Sequence, residues 1–126
     1  GSRHVLVVNA DDGLDEISIG AATQVAELKD GKVSVYRIQP EDFGMHRADI
    51  EQIRAKDAAH SLDIIMRVFA NEEGPAKDII CLNAGAAIYV SGLTDSLAAG
   101  VEKAKVVIAG GKVASKLEEL VAASNR

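Results

Sequence analysis

Four carboxylates fall within six positions in the stretch Asp11-Asp12-Gly13-Leu14-Asp15-Glu16-Ile17-Ser18. They follow directly on the apolar run His4-Val5-Leu6-Val7-Val8, which reads as a buried strand. In open α/β sheets, ligands bind in the crevice outside the carboxyl ends of the strands. Carboxylate oxygens are hard ligands, and Mg²⁺ is usually held by one or two of them together with substrate phosphates. The loop therefore has the chemistry, in the right place, for a metal–pyrophosphate site. A solvated acidic turn is the competing reading. The stretch does not fit a calcium loop, which alternates its ligands and ends in Glu.

Other candidate chemistry is set aside on spacing. His4, His46 and His60 are far apart and form neither HxH nor HExxH, so a zinc centre is not indicated. His60 lies one turn from Asp57 and from Asp63, which reads as a surface helix position. No G-x-S-x-G elbow is present. Gly110-Gly111-Lys112-Val113 lacks the spacing and the Ser/Thr of a phosphate-binding loop. Asn83, among small apolar residues, reads as a buried amide bonded to a neighbouring segment. Cys81 is alone, so no disulfide framework or Cys-based zinc site is expected.

The elements that must hold the loop can be read in order. Residues 4–8 are β-branched and apolar without alternation. Both faces of that strand are therefore expected to be covered, inside a sheet whose neighbours are not adjacent in sequence. Residues 22–28 and 33–38 flank Lys29-Asp30-Gly31-Lys32, a strong hairpin signal, because a type I′ turn needs φ > 0 at both central residues. Tyr36 would pack on one face of that hairpin. Gln39-Pro40-Glu41-Asp42-Phe43-Gly44 reads as a connector with a short helical turn.

From Asp57 the chain becomes helical. Asp57 is the expected N-cap, and Ala58, Leu62, Ile65 and Phe69 recur at helical spacing. Gly74-Pro75 ends this helix and starts the next, with Pro at the first helical position. The next helix extends to about Val90, and its Asn83-Ala84-Gly85-Ala86-Ala87 segment lets another helix approach closely. Helices over 96–109 and 112–123 follow, split by Gly110-Gly111 as a terminator. The change divides the chain into residues 1–56, with strand, acidic loop and hairpin, and 57–126, a helical portion in the same structural unit. The helical stripes are expected to supply a self-association surface.

Composition narrows the class. The chain has 126 residues, enough for one domain, and aromatic residues make up only 3% with no Trp. Its core must be built from Ala, Val, Ile and Leu, which suits close-packed helices on buried strands. The net charge is −5 and no basic cluster interleaves with aromatics, which argues against nucleic acid as a partner. No apolar run approaches the roughly 18–20 residues that span a bilayer. The first nine residues contain no signal-peptide h-region. A cytoplasmic protein is expected.

Several stretches together resemble one family. Val5-Leu6-Val7-Val8 followed by Asp12-Gly13-Leu14-Asp15-Glu16-Ile17-Ser18 is similar to the metal loop of anthranilate phosphoribosyltransferases. So are Pro40-Glu41-Asp42-Phe43-Gly44, Leu82-Asn83-Ala84-Gly85-Ala86-Ala87-Ile88-Tyr89, and the closing Ser124-Asn125-Arg126. The likeness keeps its order along nearly the whole chain and looks like the C-terminal part of that enzyme. It implies an α/β fold of the nucleoside phosphorylase and phosphoribosyltransferase type, with packed helices and a sheet incomplete in this chain. It implies transfer of a phosphoribosyl group from phosphoribosyl pyrophosphate to anthranilate, with release of pyrophosphate, in tryptophan biosynthesis. By the Gly-Leu-Asp-Glu motif, Asp15 and Glu16 would be ligands of Mg²⁺, while Asp11 and Asp12 are expected to be flanking, solvated charges.

The family's glycine-rich pyrophosphate loop and its anthranilate-binding residues have no counterpart here. The resemblance places them upstream of residue 1, so no catalytic residue is assigned in this chain and it is expected to be inactive alone. A homodimer, or association with an N-terminal part, is implied. The chain has Asn9-Ala10 where many members have His-Gly. Pyrimidine nucleoside phosphorylases share the architecture but lack Gly-Leu-Asp-Glu. A non-catalytic homologue is the third reading.

Overall fold

The computed structural model describes residues 4–14, 16–54 and 56–111. Three strands, β1 (His4–Ala10), β2 (Thr23–Lys29) and β3 (Lys32–Ile38), form one antiparallel sheet in the order β1-β2-β3. Two single 3₁₀ turns, Pro40–Phe43 and Ile50–Ile53, lead to α1 (Ala58–Phe69), α2 (Pro75–Val90) and α3 (Leu97–Ala109). The helix expected over 112–123 lies outside the described residues.

The β2–β3 hairpin forms as its sequence predicts. Asp30 and Gly31 are the two central residues, with φ of 53° and 79°, the left-handed pair that a type I′ turn requires. Because β2 is antiparallel to both neighbours, β1 and β3 run parallel to each other. Their carboxyl ends lie at the same end of the sheet. The acidic loop and the segment after Ile38 therefore meet there.

β1 differs from its expectation. It extends to Ala10 and pairs with β2, the very next strand in sequence. Its burial alternates, and Val5 and Val7 are 38% and 63% exposed. Among the described residues, only the face carrying Leu6, Val8 and Ala10 is covered, by α2. The opposite face continues onto Val33 and Val35, also exposed. A run of Val and Leu carries no alternation to distinguish a one-sided strand from a two-sided one.

Caps set the helices. Asp57 Oδ1 accepts from the His60 amide at 2.8 Å, and Ser96 Oγ accepts from Ala99 N at 3.0 Å. Gly74 is the N-cap of α2, and Pro75 follows as the first helical residue. Past α3, Gly111 takes φ 77°, the left-handed stop expected of this glycine pair. The inward line of α1 is Ser61, Ile64, Ile65 and Val68, whereas Ala58 and Leu62 are exposed. Of the stripe read from the sequence, Ile65 and Phe69 are thus half-buried, with Phe69 packed on the core, and its first two positions face solvent.

α2 and α3 pack closely through small residues. A Cβ on Gly85 would lie 2.5 Å from Val101 Cα, and one on Gly100 would strike the Gly85 carbonyl oxygen. Leu82, Val101, Ala104 and Ile108 fill the seam. Under the sheet, Glu27 is buried on the inner face of β2 yet fully satisfied. It accepts from Tyr36 OH at 2.6 Å, Tyr89 OH at 2.5 Å and His4 Nε2 at 2.8 Å. Burial alone would raise its carboxyl, but the hydrogen bonds from Tyr36, Tyr89 and His4 prevail and hold it below its ordinary value. Burial, with Glu27 beside it, pushes the Tyr89 hydroxyl up to about 12, so it remains a donor throughout neutral pH.

Two outcomes follow from this packing. Gly100→Ala should destabilise the fold by about 1–3 kcal/mol, because backbone rather than a pliable side chain blocks the new methyl; thermal unfolding measures it. Glu27→Gln keeps the shape but turns an amide donor toward the hydroxyls, which should cost about 2–3 kcal/mol at pH 7. The sign with pH is set by the depressed carboxyl. Its stabilisation is complete above the ordinary 4.5 and is lost as pH falls through the lower folded value. Urea titrations should therefore show the gap between the unchanged chain and Glu27→Gln wide at pH 7 and closing below that value.

Candidate functional site

The acidic loop leaves the end of β1 and returns into β2. Its closure begins in the backbone: Ala10 N donates to Leu14 O at 3.0 Å, and Asp11 N donates to Ala22 O at 2.9 Å. Gly13 takes φ 95°, a conformation open to glycine, and lets the chain reverse between them. The segment after β3 braces the far side. Ala48 N donates to Ile19 O at 2.9 Å, and Gly20 lies so close to Ala48 that a Cβ would sit 2.9 Å from its carbonyl oxygen. Ile17 and Ile19 are buried and anchor the loop in the core.

The carboxylates of the loop are not equivalent. Asp11 pairs with Arg37 of β3, with both side chains about half exposed. Asp12 Oδ1 accepts from Leu14 N at 3.3 Å, and its Oδ2 accepts from Ser18 Oγ at 2.5 Å. Glu16 is exposed and makes no hydrogen bond or ion pair among the described residues. Asp15 lies outside the described residues. Two of the three described acids are thus engaged with protein, and the one that belongs to the Gly-Leu-Asp-Glu motif is free to ligate.

This sorting matches the expectation for Asp11, a flanking solvated charge, and corrects it for Asp12. Asp12 is exposed but ties both halves of the loop together. The signal is present in the sequence: Asp before Gly, with a backbone amide two residues on, is the pattern of an Asx-turn. Ser18 extends the chain of bonds, since its Oγ accepts from Gly20 N at 2.9 Å and its N donates to Thr23 Oγ1 at 3.1 Å. Asn83 is half-buried rather than buried, but it bonds to a neighbouring segment as expected from its surroundings. Its Oδ1 accepts from Ile17 N at 2.9 Å, and its Nδ2 donates to Ile17 O and to Ile79 O at 2.9 and 3.0 Å.

No group of three or more His, Cys, Asp or Glu is gathered for a metal among the described residues. Magnesium held jointly with phosphates does not call for one, since one or two carboxylates suffice. The free oxygens of Glu16 are of the hard type that fits. The histidines are placed apart: His4 in the Glu27 cluster, His60 accepting from Lys56 N at the start of α1, His46 in a polar cleft with Lys77, Asp78 and Lys105. In that cleft burial, with Glu73 adding to it, raises the Asp78 carboxyl. Burial likewise raises the Cys81 thiol, which makes it a poor nucleophile. No cue in the sequence points to the Glu27 cluster, because three of its members look like ordinary strand residues. No helix among the described residues is long and apolar enough to cross a membrane.

Residues 1–114 match the glycosyl transferase family, a/b domain, and the chain belongs to that family. Its relatives narrow the likeness further. It is 59% identical over 121 residues to the anthranilate phosphoribosyltransferase of Thioalkalivibrio sulfidiphilus, covering 96% of this chain and 36% of that protein. It is 53% identical over 126 residues to that of Methylococcus capsulatus, covering 100% of this chain and 37% of that protein. The chain thus spans little more than a third of the length of these relatives.

Among solved structures, anthranilate phosphoribosyltransferase from Thermus thermophilus superposes with a TM-score of 0.78 at 33% identity, over 94% of this chain and 35% of that one. The Saccharomyces cerevisiae enzyme, in complex with PRPP and Mg, matches in fold with a TM-score of 0.77 at 21% identity, over 91% of this chain and 33% of that one.

Proposed function

We propose that this chain is the part of an anthranilate phosphoribosyltransferase that carries its magnesium loop. The complete enzyme transfers phosphoribosyl from phosphoribosyl pyrophosphate to the amine of anthranilate, with release of pyrophosphate, as a step of tryptophan biosynthesis. The observation that carries this reading is the free Glu16 carboxylate in a loop whose other described acids, Asp11 and Asp12, are already engaged. The names and identities of the relatives support it.

Glu16, with Asp15 beside it in sequence, would hold Mg²⁺. When bound, the ion would stabilise the negative charge that develops on the departing pyrophosphate. The role of this chain's own residues is to present those oxygens on a loop fixed to the sheet end, so that little reorganisation is needed when charge develops. The groups that bind phosphoribosyl pyrophosphate and anthranilate belong, in this reading, to a part of the enzyme outside these 126 residues. The enzyme works in the cytoplasm as a homodimer.

The test is made in the complete enzyme. Changing Asp15 and Glu16 together to Ala should lower kcat/KM by about 10²-fold or more, a loss of several kcal/mol of transition-state stabilisation. The circular dichroism spectrum should not change, because the Glu16 side chain is exposed. A double variant that turns over at the unchanged rate across a Mg²⁺ titration would overturn the assignment.

A further inference from the structure

We propose that Asp12 and Asn83 are positioning residues for Glu16, and that the loop's affinity for a divalent cation depends on the bracket they form. The inference rests on the reading of Glu16 as a ligand and extends it to two residues that touch no metal.

An exposed Glu has a long side chain and no partner, so only its backbone limits where its oxygens can be. Described residues before and after it, Leu14 and Ile17, are held through their main-chain groups. On one side, Asp12 Oδ1 accepts from Leu14 N at 3.3 Å. On the other, both polar main-chain groups of Ile17 are paired with the single amide of Asn83, each at 2.9 Å. Asn83 thus acts as a short strand partner for the residue directly after Glu16. The bond from Ser18 Oγ to Asp12 Oδ2, at 2.5 Å, then draws the two sides together. Ser18 is itself fixed by Gly20 and Thr23.

The geometry separates two ways in which an acid can help a metal site. Asp11 contributes charge only, since its side chain is committed to Arg37 at the surface. Asp12 contributes a shape. Asn at position 12 can keep that shape, since its oxygen accepts from Leu14 N and its amide can donate to Ser18 Oγ. Ala cannot. Groups that orient ligands in this manner typically matter by 10–100-fold in affinity.

The experiment measures Mn²⁺ binding to the complete enzyme, in the presence of pyrophosphate, by electron paramagnetic resonance, with thermal unfolding alongside. Glu16→Ala should weaken binding most. Asp12→Ala and Asn83→Ala should each weaken it by about 10-fold. Asp12→Asn and Asp11→Asn, which each remove one charge, should stay within about 2-fold of the unchanged enzyme. Ile17 amide exchange should quicken in Asn83→Ala, which reports loss of the clamp directly. Should Asn83→Ala not fold, the comparison of Asp12→Ala with Asp12→Asn decides. Equal losses in those two variants would make Asp12 a charge rather than a positioning residue and overturn the proposal. Normal binding in Asp12→Ala and Asn83→Ala, with Glu16→Ala impaired, would overturn it while leaving Glu16 as a ligand. No Mn²⁺ binding by the unchanged complete enzyme with pyrophosphate, or none lost in Glu16→Ala, would overturn the reading of the site and the bracket with it.

Discussion

A carboxylate removed from water must be met by donors, and at Glu27 that requirement fixes how the layers sit. A buried, unpaired carboxylate costs several kcal/mol. Glu27 avoids that cost only if β1 supplies His4, β3 supplies Tyr36 and α2 supplies Tyr89. Three elements therefore converge on one side chain of β2. The His4 and Tyr89 rings meet edge to face at 4.6 Å, and Lys29 lies 5.2 Å above the Tyr89 ring. Apolar contacts tolerate sliding, whereas these directional bonds do not. A slip of β1 by one residue would turn His4 to the outer face and leave Glu27 short of a donor.

The same helix reaches the sheet at a second point. Tyr89 bonds to Glu27 near the start of β1, and Asn83 bonds to Ile17 in the loop beyond its end. α2 is thus tied at two places about a helical turn and a half apart. Between them it is pressed by α3, whose approach depends on Gly85 and Gly100. The loop that carries Glu16 is in this way referred to the core rather than to solvent. Precision at an exposed carboxylate comes from buried groups on another element.

Legibility followed local chemistry. The Asp30-Gly31 turn, the Asp57 cap and the Gly74-Pro75 break were readable because each is decided by a few adjacent residues. The bonding of Asn83 to a neighbouring segment was readable because an amide among small apolar residues must find partners, although the residue is half-buried rather than buried. What could not be read depended on which neighbour arrives. The exposure of Val5 and Val7 is set by α2 covering one face of β1, and no property of the run itself marks that face. The Glu27 cluster joins residues 23, 9 and 62 positions apart. Nothing in a single sequence marks them as one group. Within the acidic loop, the expectation that Asp15 and Glu16 hold a metal came only from the family resemblance. The duty of Asp12 is written in the Asx-turn pattern, which its charge alone does not reveal.

Acids close together in sequence repel one another, and the three described ones, Asp11, Asp12 and Glu16, are in different situations. Arg37 compensates Asp11 at the surface. Asp12 spends its lone pairs on Leu14 and Ser18. Both of these acids therefore have partners within the protein. Glu16 has none among the described residues, so its oxygens are left to solvent. A loop whose every carboxylate was satisfied internally would gain little from binding metal, and a loop with none satisfied would not hold its shape. The division between engaged and free acids lets one short segment be both rigid and receptive.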